Sequence, residues 1–146
     1  MNDLEKHIPK ELVVAELTLA IGQLLRRLRT EANPGALNLS QMGALARLAE
    51  SGGMTTADLA RAESMKPQSM GAILAGLERD GLVQRHPHPT DGRQVLFSLT
   101  AEGVEARRKR SAAKQEWLLA ALAKLDATEH QTLISAAALI KRLGDL

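Results

Sequence analysis

Hydrophobic positions repeat with a helical period along most of this chain and change period only in its middle. From Lys10 to Glu31, Leu17, Ala20, Ile21, Leu24, Leu25 and Leu28 fall at i, i+3, i+4, i+7, i+8 and i+11, predicting one long amphipathic helix. Leu12 and Val13 widen its apolar surface beyond what one neighbour in the chain requires. Residues 1–9 read as a loose arm, and Asn33-Pro34-Gly35 breaks the pattern. Ser40 is the expected cap of a helix running to Leu48 or Ala49, with Met42, Leu45 and Leu48 inward. Ser51-Gly52-Gly53 ends it, and a short strand is expected at Met54.

Two short helices follow. Thr55 and Thr56 offer capping hydroxyls, with Asp58 completing an approximate capping box, for a helix from Ala57 to about Glu63 that carries Leu59, Ala60 and Ala62. Ser64-Met65-Lys66 is the turn, and Pro67 opens the second helix, where its missing N–H is no loss. Met70, Ile73, Leu74 and Leu77 form a narrow apolar face, and Gly81 marks the stop. The period then changes to two. Leu82–His86 and Gln94–Leu99 are β-prone, the second alternating Val95, Phe97 and Leu99 with Gln94 and Ser98. Beyond them, Thr100 is expected to cap a helix from Ala101 to about Lys124, with Trp117, Leu118, Ala121, Leu122 and Leu125 in its second half. Asp126 and Glu129 form a capping box for a last helix through Leu143, whose apolar face carries Leu133, Ile134, Ala137, Ala138 and Ile140.

The second short helix is unusual on its outer side. At 100° per residue, Gln68, Ala72, Ala75 and Arg79 lie opposite the apolar face, with Ser69 and Gly76 on the flank. A merely solvated helix would carry Glu and Lys there. Small residues suit a helix whose backbone must approach the floor of a DNA major groove, about 12 Å wide, where Gln can bond adenine and an alanine methyl can meet thymine. This is the pattern of a helix-turn-helix with the second helix as reader; the plainer alternative is an ordinary two-helix hairpin. Pro87, Pro89 and Asp91-Gly92 confine the segment between the strands to a turn, which makes a hairpin with His88, Thr90 and Arg93 at its tip and Arg85 on the strand below. A ribbon with a cationic tip beside a reading helix is a wing that places Arg93 against phosphate or in a minor groove. Asp91 either bonds turn amides or pairs with Arg85 or Arg93. The candidate DNA-contacting residues are therefore Thr56, Lys66, Pro67, Gln68, Ser69, Ala72 and Arg93, and the wing-shaping residues Asp91, Gly92 and Arg85.

These segments together resemble the MarR-type winged helix-turn-helix regulators. Leu39-Ser40-Gln41 opens an early helix; Leu74-x-x-Leu77-x-x-x-Gly81-Leu82-Val83-x-Arg85 runs out of the reading helix; Asp91-Gly92-Arg93 occupies the wing; and Leu99-Thr100-x-x-Gly103 enters the next helix. The resemblance spans essentially the whole chain. It implies a mainly α fold with a small β-wing, in which a winged helix-turn-helix module is flanked by N- and C-terminal dimerisation helices. It also implies repression as the commoner mode of regulation, and effectors that are often aromatic acids or lipophilic toxins. Pro67-Gln68-Ser69-Met70 differs from the β-branched and Ser/Thr-rich opening common in the family, so the operator sequence does not carry over.

At 146 residues the chain reads as a single domain, with the module at 36–100 and dimerisation helices at 10–31 and 101–146. Three amphipathic segments exceed what one small module needs to cover itself, so a homodimer is expected, reading an inverted repeat of double-stranded DNA with half-sites one duplex turn apart. A small molecule lodged between dimerising helices and reading module could change that spacing and release the DNA; no residue identifies such an effector. The chain is 45% hydrophobic, yet has one Phe, one Trp and no Tyr, so its core is aliphatic. Its net charge of +2 permits nucleic-acid binding without demonstrating it, and Arg107-Arg108-Lys109-Arg110 faces all round a helix and reads as solvated. Without cysteine there is no disulfide, thiolate metal ligation or thiol oxidant sensing. Neither a membrane span nor a signal h-region is evident, so a cytoplasmic location without membrane contact is expected. Two rival readings stand: a metal- or pH-responsive regulator using His86 and His88, with His7 and His130 distant in sequence, and a winged-helix protein-interaction module. No nucleophile–base pair, phosphate loop or carboxylate pair points to an enzyme, and no cofactor or resident metal is expected.

Overall fold

The computed structural model describes residues 7–33 and 35–146. The arm expected at residues 1–9 therefore lies mostly outside the described residues, as does Pro34. The elements run α1 (Lys10–Glu31), α2 (Leu39–Ser51), β1 (Met54–Thr55), α3 (Thr56–Ala62), α4 (Pro67–Arg79), β2 (Val83–Pro87), β3 (Val95–Leu99), α5 (Ala101–Leu122) and α6 (Ala127–Gly144). The fold is mainly helical with one three-stranded antiparallel sheet in the order β1-β3-β2. The strand expected at Met54 pairs with Phe97 of β3. No helix among the described residues is long and apolar enough to cross a membrane.

The chain divides into two compact units, one of residues 33–112 and one formed from the two ends, residues up to 32 and from 113 onward. The first holds a packed core of Ala44, Leu45 and Leu48 from α2, Leu59 and Ala60 from α3, Met70, Leu74 and Leu77 from α4, Val83 and Phe97. Each buried Leu or Met contributes about 1.5–3 kcal/mol relative to exposure, and their spacing is the i, i+3, i+4 pattern of the sequence. In the second unit neither α1 nor α6 has a fully buried residue. There the Arg27 guanidinium lies 6.0 Å from the centre of the Trp117 ring, and His130 Nε2 sits 2.6 Å from the Leu122 carbonyl oxygen at the end of α5.

Several local expectations are corrected. Helix α2 is capped by Asn38, not Ser40: the Asn38 side chain accepts from the Gln41 amide, and the Gln41 side chain accepts from the Asn38 amide. That reciprocal box starts the helix at Leu39. Thr55 caps α3 as expected, but Asp58 pairs with Arg61 instead of completing a box. Strand β2 begins one residue late, because the Leu82 amide is still donating to the Leu77 carbonyl as part of the α4 terminus. Gln94 falls outside β3, its amide taken by the Asp91 carbonyl. Val95, which the alternation groups with Phe97 and Leu99, is exposed. Helix α5 stops at Leu122, two residues early. The basic run 107–110 is not wholly solvated. Arg107 is half-buried, with its Nε enclosed and lacking a hydrogen-bond partner among the described residues. Burial first, and then neighbouring Arg107, push the Arg110 guanidinium below the ordinary arginine value.

Candidate nucleic-acid interface

Helix α4 is built to stand away from the core on one side. Met70, Leu74 and Leu77 are buried and Ile73 half-buried, which turns Gln68, Ser69, Ala72, Ala75 and Arg79 outward, where all are exposed. Pro67 occupies the first helical turn, and Lys66 at the cap position makes no side-chain cap hydrogen bond. With no acidic residue in that turn, the positive end of the helix is left uncompensated, beside an exposed lysine. The arrangement suits a phosphate at the helix start and base edges along the Gln68–Ala72 side.

Two Schellman-type stops fix the angle at which α4 is presented. At the α3 end, Met65 N–H donates to Ala60 O (2.8 Å) and Ser64 N–H to Arg61 O (3.2 Å), with Ser64 at a left-handed φ of 53°. At the α4 end, Leu82 N–H donates to Leu77 O (2.9 Å) and Gly81 N–H to Glu78 O (3.0 Å), with Gly81 at φ 76°. The α5 helix is seated on this second turn. Thr100 N–H donates to Leu82 O (3.1 Å), the Thr100 hydroxyl donates to Gly81 O (2.5 Å), and the same hydroxyl accepts from Gly103 N–H (3.0 Å). Gly103 lies so close that a Cβ there would sit 2.1 Å from Leu82 O. The Leu-Thr-x-x-Gly spacing thus has a steric cause.

At the wing, Arg93 is 93% exposed in its side chain. Asp91 Oδ1 accepts from the Arg93 amide at 3.0 Å and faces its Nε at 3.5 Å. Of the partners left open for Asp91, it therefore meets Arg93 and not Arg85. Gly92 is not in the left-handed region, and a Cβ there would meet open space. Arg85 turns to Glu78 on α4, through Nε at 2.8 Å and Nη2 at 3.1 Å. Thr56, the first residue of α3, is half-buried; the groove beside it is lined by Thr55, Arg61, Gln94 and Val95.

Two roles were missed in the sequence. His88 Nδ1 accepts from the amides of Thr90 (3.2 Å) and Asp91 (3.0 Å), making the imidazole a strut of the wing turn. Glu78 is the partner of Arg85. No periodic pattern marks either, although a histidine two residues before a Thr-Asp-Gly turn is a capping signal in retrospect. The paired imidazoles of the metal reading have separate engagements, since His86 Nε2 meets the Ser98 hydroxyl on β3. Among the described residues no cluster of three or more metal-ligating groups occurs.

Comparison with known proteins agrees with this geometry. The MarR family profile matches residues 37–95, from the approach to α2 into the wing. An HTH-type transcriptional regulator of Mycobacterium bovis is 42% identical over 133 residues, covering 91% of this chain and 93% of that protein. An HTH-type transcriptional repressor of Mycobacterium tuberculosis is 31% identical over 116 residues, covering 79% of this chain and 84% of its own. Among solved structures, a transcriptional regulator from Pseudomonas aeruginosa superposes with a TM-score of 0.84 at 34% identity, covering 94% of this chain and 97% of that one.

Proposed function

The chain belongs to the MarR family of DNA-binding transcriptional regulators, and from that premise we propose that it is a cytoplasmic repressor that reads an inverted-repeat operator as a homodimer. The observation that carries the reading is the outer side of α4, where Gln68, Ser69, Ala72 and Ala75 are all exposed while the opposite side fills the core. Gln68 and Ser69, with Ala72, meet base edges in the major groove; Lys66, Pro67 and Thr56 lie along the adjoining backbone; Arg93 reaches phosphate or the minor groove. Asp91, Gly92 and Arg85 shape the wing. In this proposal residues 36–100 are the reading module, and 10–31 with 101–146 dimerise. Exposed Leu12, Leu24 and Leu25 on α1, with Leu133, Ile134 and Ile140 on α6, support that assignment. Repression is supported by the 31% identical relative named a repressor.

Release by a small molecule completes the proposal. An open cleft of about 580 Å³ offers apolar walls from Leu37, Ala101 and Ala106, with Lys109 and Arg110 balanced by Glu102 and Glu105.

The test is binding to duplexes selected from a random library. Arg93→Ala is expected to weaken binding to all sequences alike and to lower the slope of log K against log salt by about one. Gln68→Ala is expected to cost roughly 1–3 kcal/mol on the selected site alone, with discrimination lost at one base pair. If both variants bind as the unsubstituted protein does, the assignment of α4 and the wing to DNA fails.

A further inference from the structure

Arg85 sits at the middle of β2, opposite Phe97 in the ladder, where an exposed cation on a DNA-binding wing invites the role of a phosphate contact. Its surroundings argue otherwise. Two of its guanidinium N–H groups form a parallel fork with both carboxylate oxygens of Glu78, on the last turn of α4, at 2.8 and 3.1 Å. The guanidinium also lies 5.6 Å from the centre of the Phe97 ring, and Phe97 is a core residue. The hydrogen bond to Glu78 first, and then its charge, hold Arg85 above the ordinary arginine value. One side chain therefore joins the end of α4, strand β2 and strand β3.

We propose that Glu78 and Arg85 form a clamp that sets the angle of the wing against the reading helix, which makes Glu78 a positioning residue for DNA recognition that touches no DNA. The proposal rests on the DNA-binding reading above. Both partners are partly exposed, so the pair contributes little to folding. Its leverage is geometric. Strand β2 runs on from Arg85 to Pro87 and the chain then bends through Pro89 and Thr90, so the tip stands on an arm of roughly 10 Å. A swing of about 10° at the clamp moves that tip by about 2 Å, enough to break a hydrogen bond. Leu82 and Gly81 fix the start of β2, and among the described residues only Glu78 and Arg85 brace the strand farther out by side-chain bonds to α4.

The sign of one substitution separates positioning from simple electrostatics. Removing a carboxylate near DNA strengthens binding to every duplex if charge is all that matters. Under the clamp, Glu78→Gln weakens binding to a duplex selected with the unsubstituted protein by about fivefold, leaves a scrambled duplex of equal length unweakened, and leaves the salt slope unchanged. Arg85→Lys, which keeps the charge and loses the fork, is expected to behave the same way. Glu78→Arg combined with Arg85→Glu restores the pair in reverse and recovers part of the loss, the stacking on Phe97 being gone. The clamp is overturned if Glu78→Gln tightens both duplexes equally, or if Arg85→Ala lowers the salt slope by about one on both while Glu78→Gln changes nothing. Arg93→Ala belongs in the same series. If it lowers the slope while Glu78→Gln is silent, the clamp falls and the DNA reading stands; if the unsubstituted protein selects no duplex, both fall.

Discussion

Gly103 and Gly43 are both glycines inside helices with something close to the missing Cβ, and they illustrate how the identity of the neighbour decides the outcome. At Gly103 the obstacle is the backbone oxygen of Leu82, 2.1 Å from an added Cβ and held by the Thr100 amide. Gly103→Ala is expected to destabilise by about 1–3 kcal/mol in urea unfolding, because a fixed turn must move. At Gly43 the nearest atom is the carboxylate of Glu63, the free end of a flexible side chain whose contact with Arg47 is a loose 3.8 Å. Helix propensity gains close to 1 kcal/mol there and a partly exposed ion pair is lost, so Gly43→Ala is expected to be neutral within about 0.5 kcal/mol in the same assay. Ser64 presents the reverse case. A non-glycine residue holds φ 53° at the end of α3, and Ser64→Gly is expected to raise stability by up to about 1 kcal/mol, read from the urea midpoint.

At the scale of elements, what the sequence disclosed was whatever depends on spacing along the chain. The apolar side of α4 is a run at i, i+3, i+4 and i+7, so its outer side, and with it Gln68 and Ala72, follows from the spacing alone. The wing was legible because Pro87, Pro89 and Asp91-Gly92 punctuate two β-prone runs. The misses share a cause: each depends on which of several nearby polar groups wins a hydrogen bond. Asn38 won the α2 cap from Ser40 because Gln41 could reach back to its amide. Asn38→Ala is accordingly expected to cost about 1 kcal/mol in thermal or urea unfolding, and Ser40→Ala far less. Glu78 and Arg85 are seven residues apart, but a helix end and a turn lie between them, so no helical or strand period relates the two.

At the scale of the whole molecule, apolar residues are distributed unevenly. The packed core lies within residues 33–112, while Leu12, Val13, Val14, Leu133, Ile134 and Leu143 remain exposed, Ile134 at 66%. Apolar surface on this scale marks association, and α1 and α6 are where a second copy is proposed to pack. Ile134→Lys is expected to leave the isolated chain folded, to shift sedimentation toward monomer, and to weaken operator binding roughly tenfold or more by uncoupling two half-sites. A dimer unaffected by that change would move the interface elsewhere.

The carbonyl of Leu82 accepts from Thr100 and lies against Gly103, so the reading helix ends and α5 begins on a single peptide group. The hairpin between those two points can change length at its tip without disturbing either helix, whereas one residue inserted between Thr100 and Gly103 would rotate α5 by about 100° and bring a side chain onto that oxygen. Folding of the two helices therefore tolerates a change in the reach of the ribbon but not in the junction beneath it.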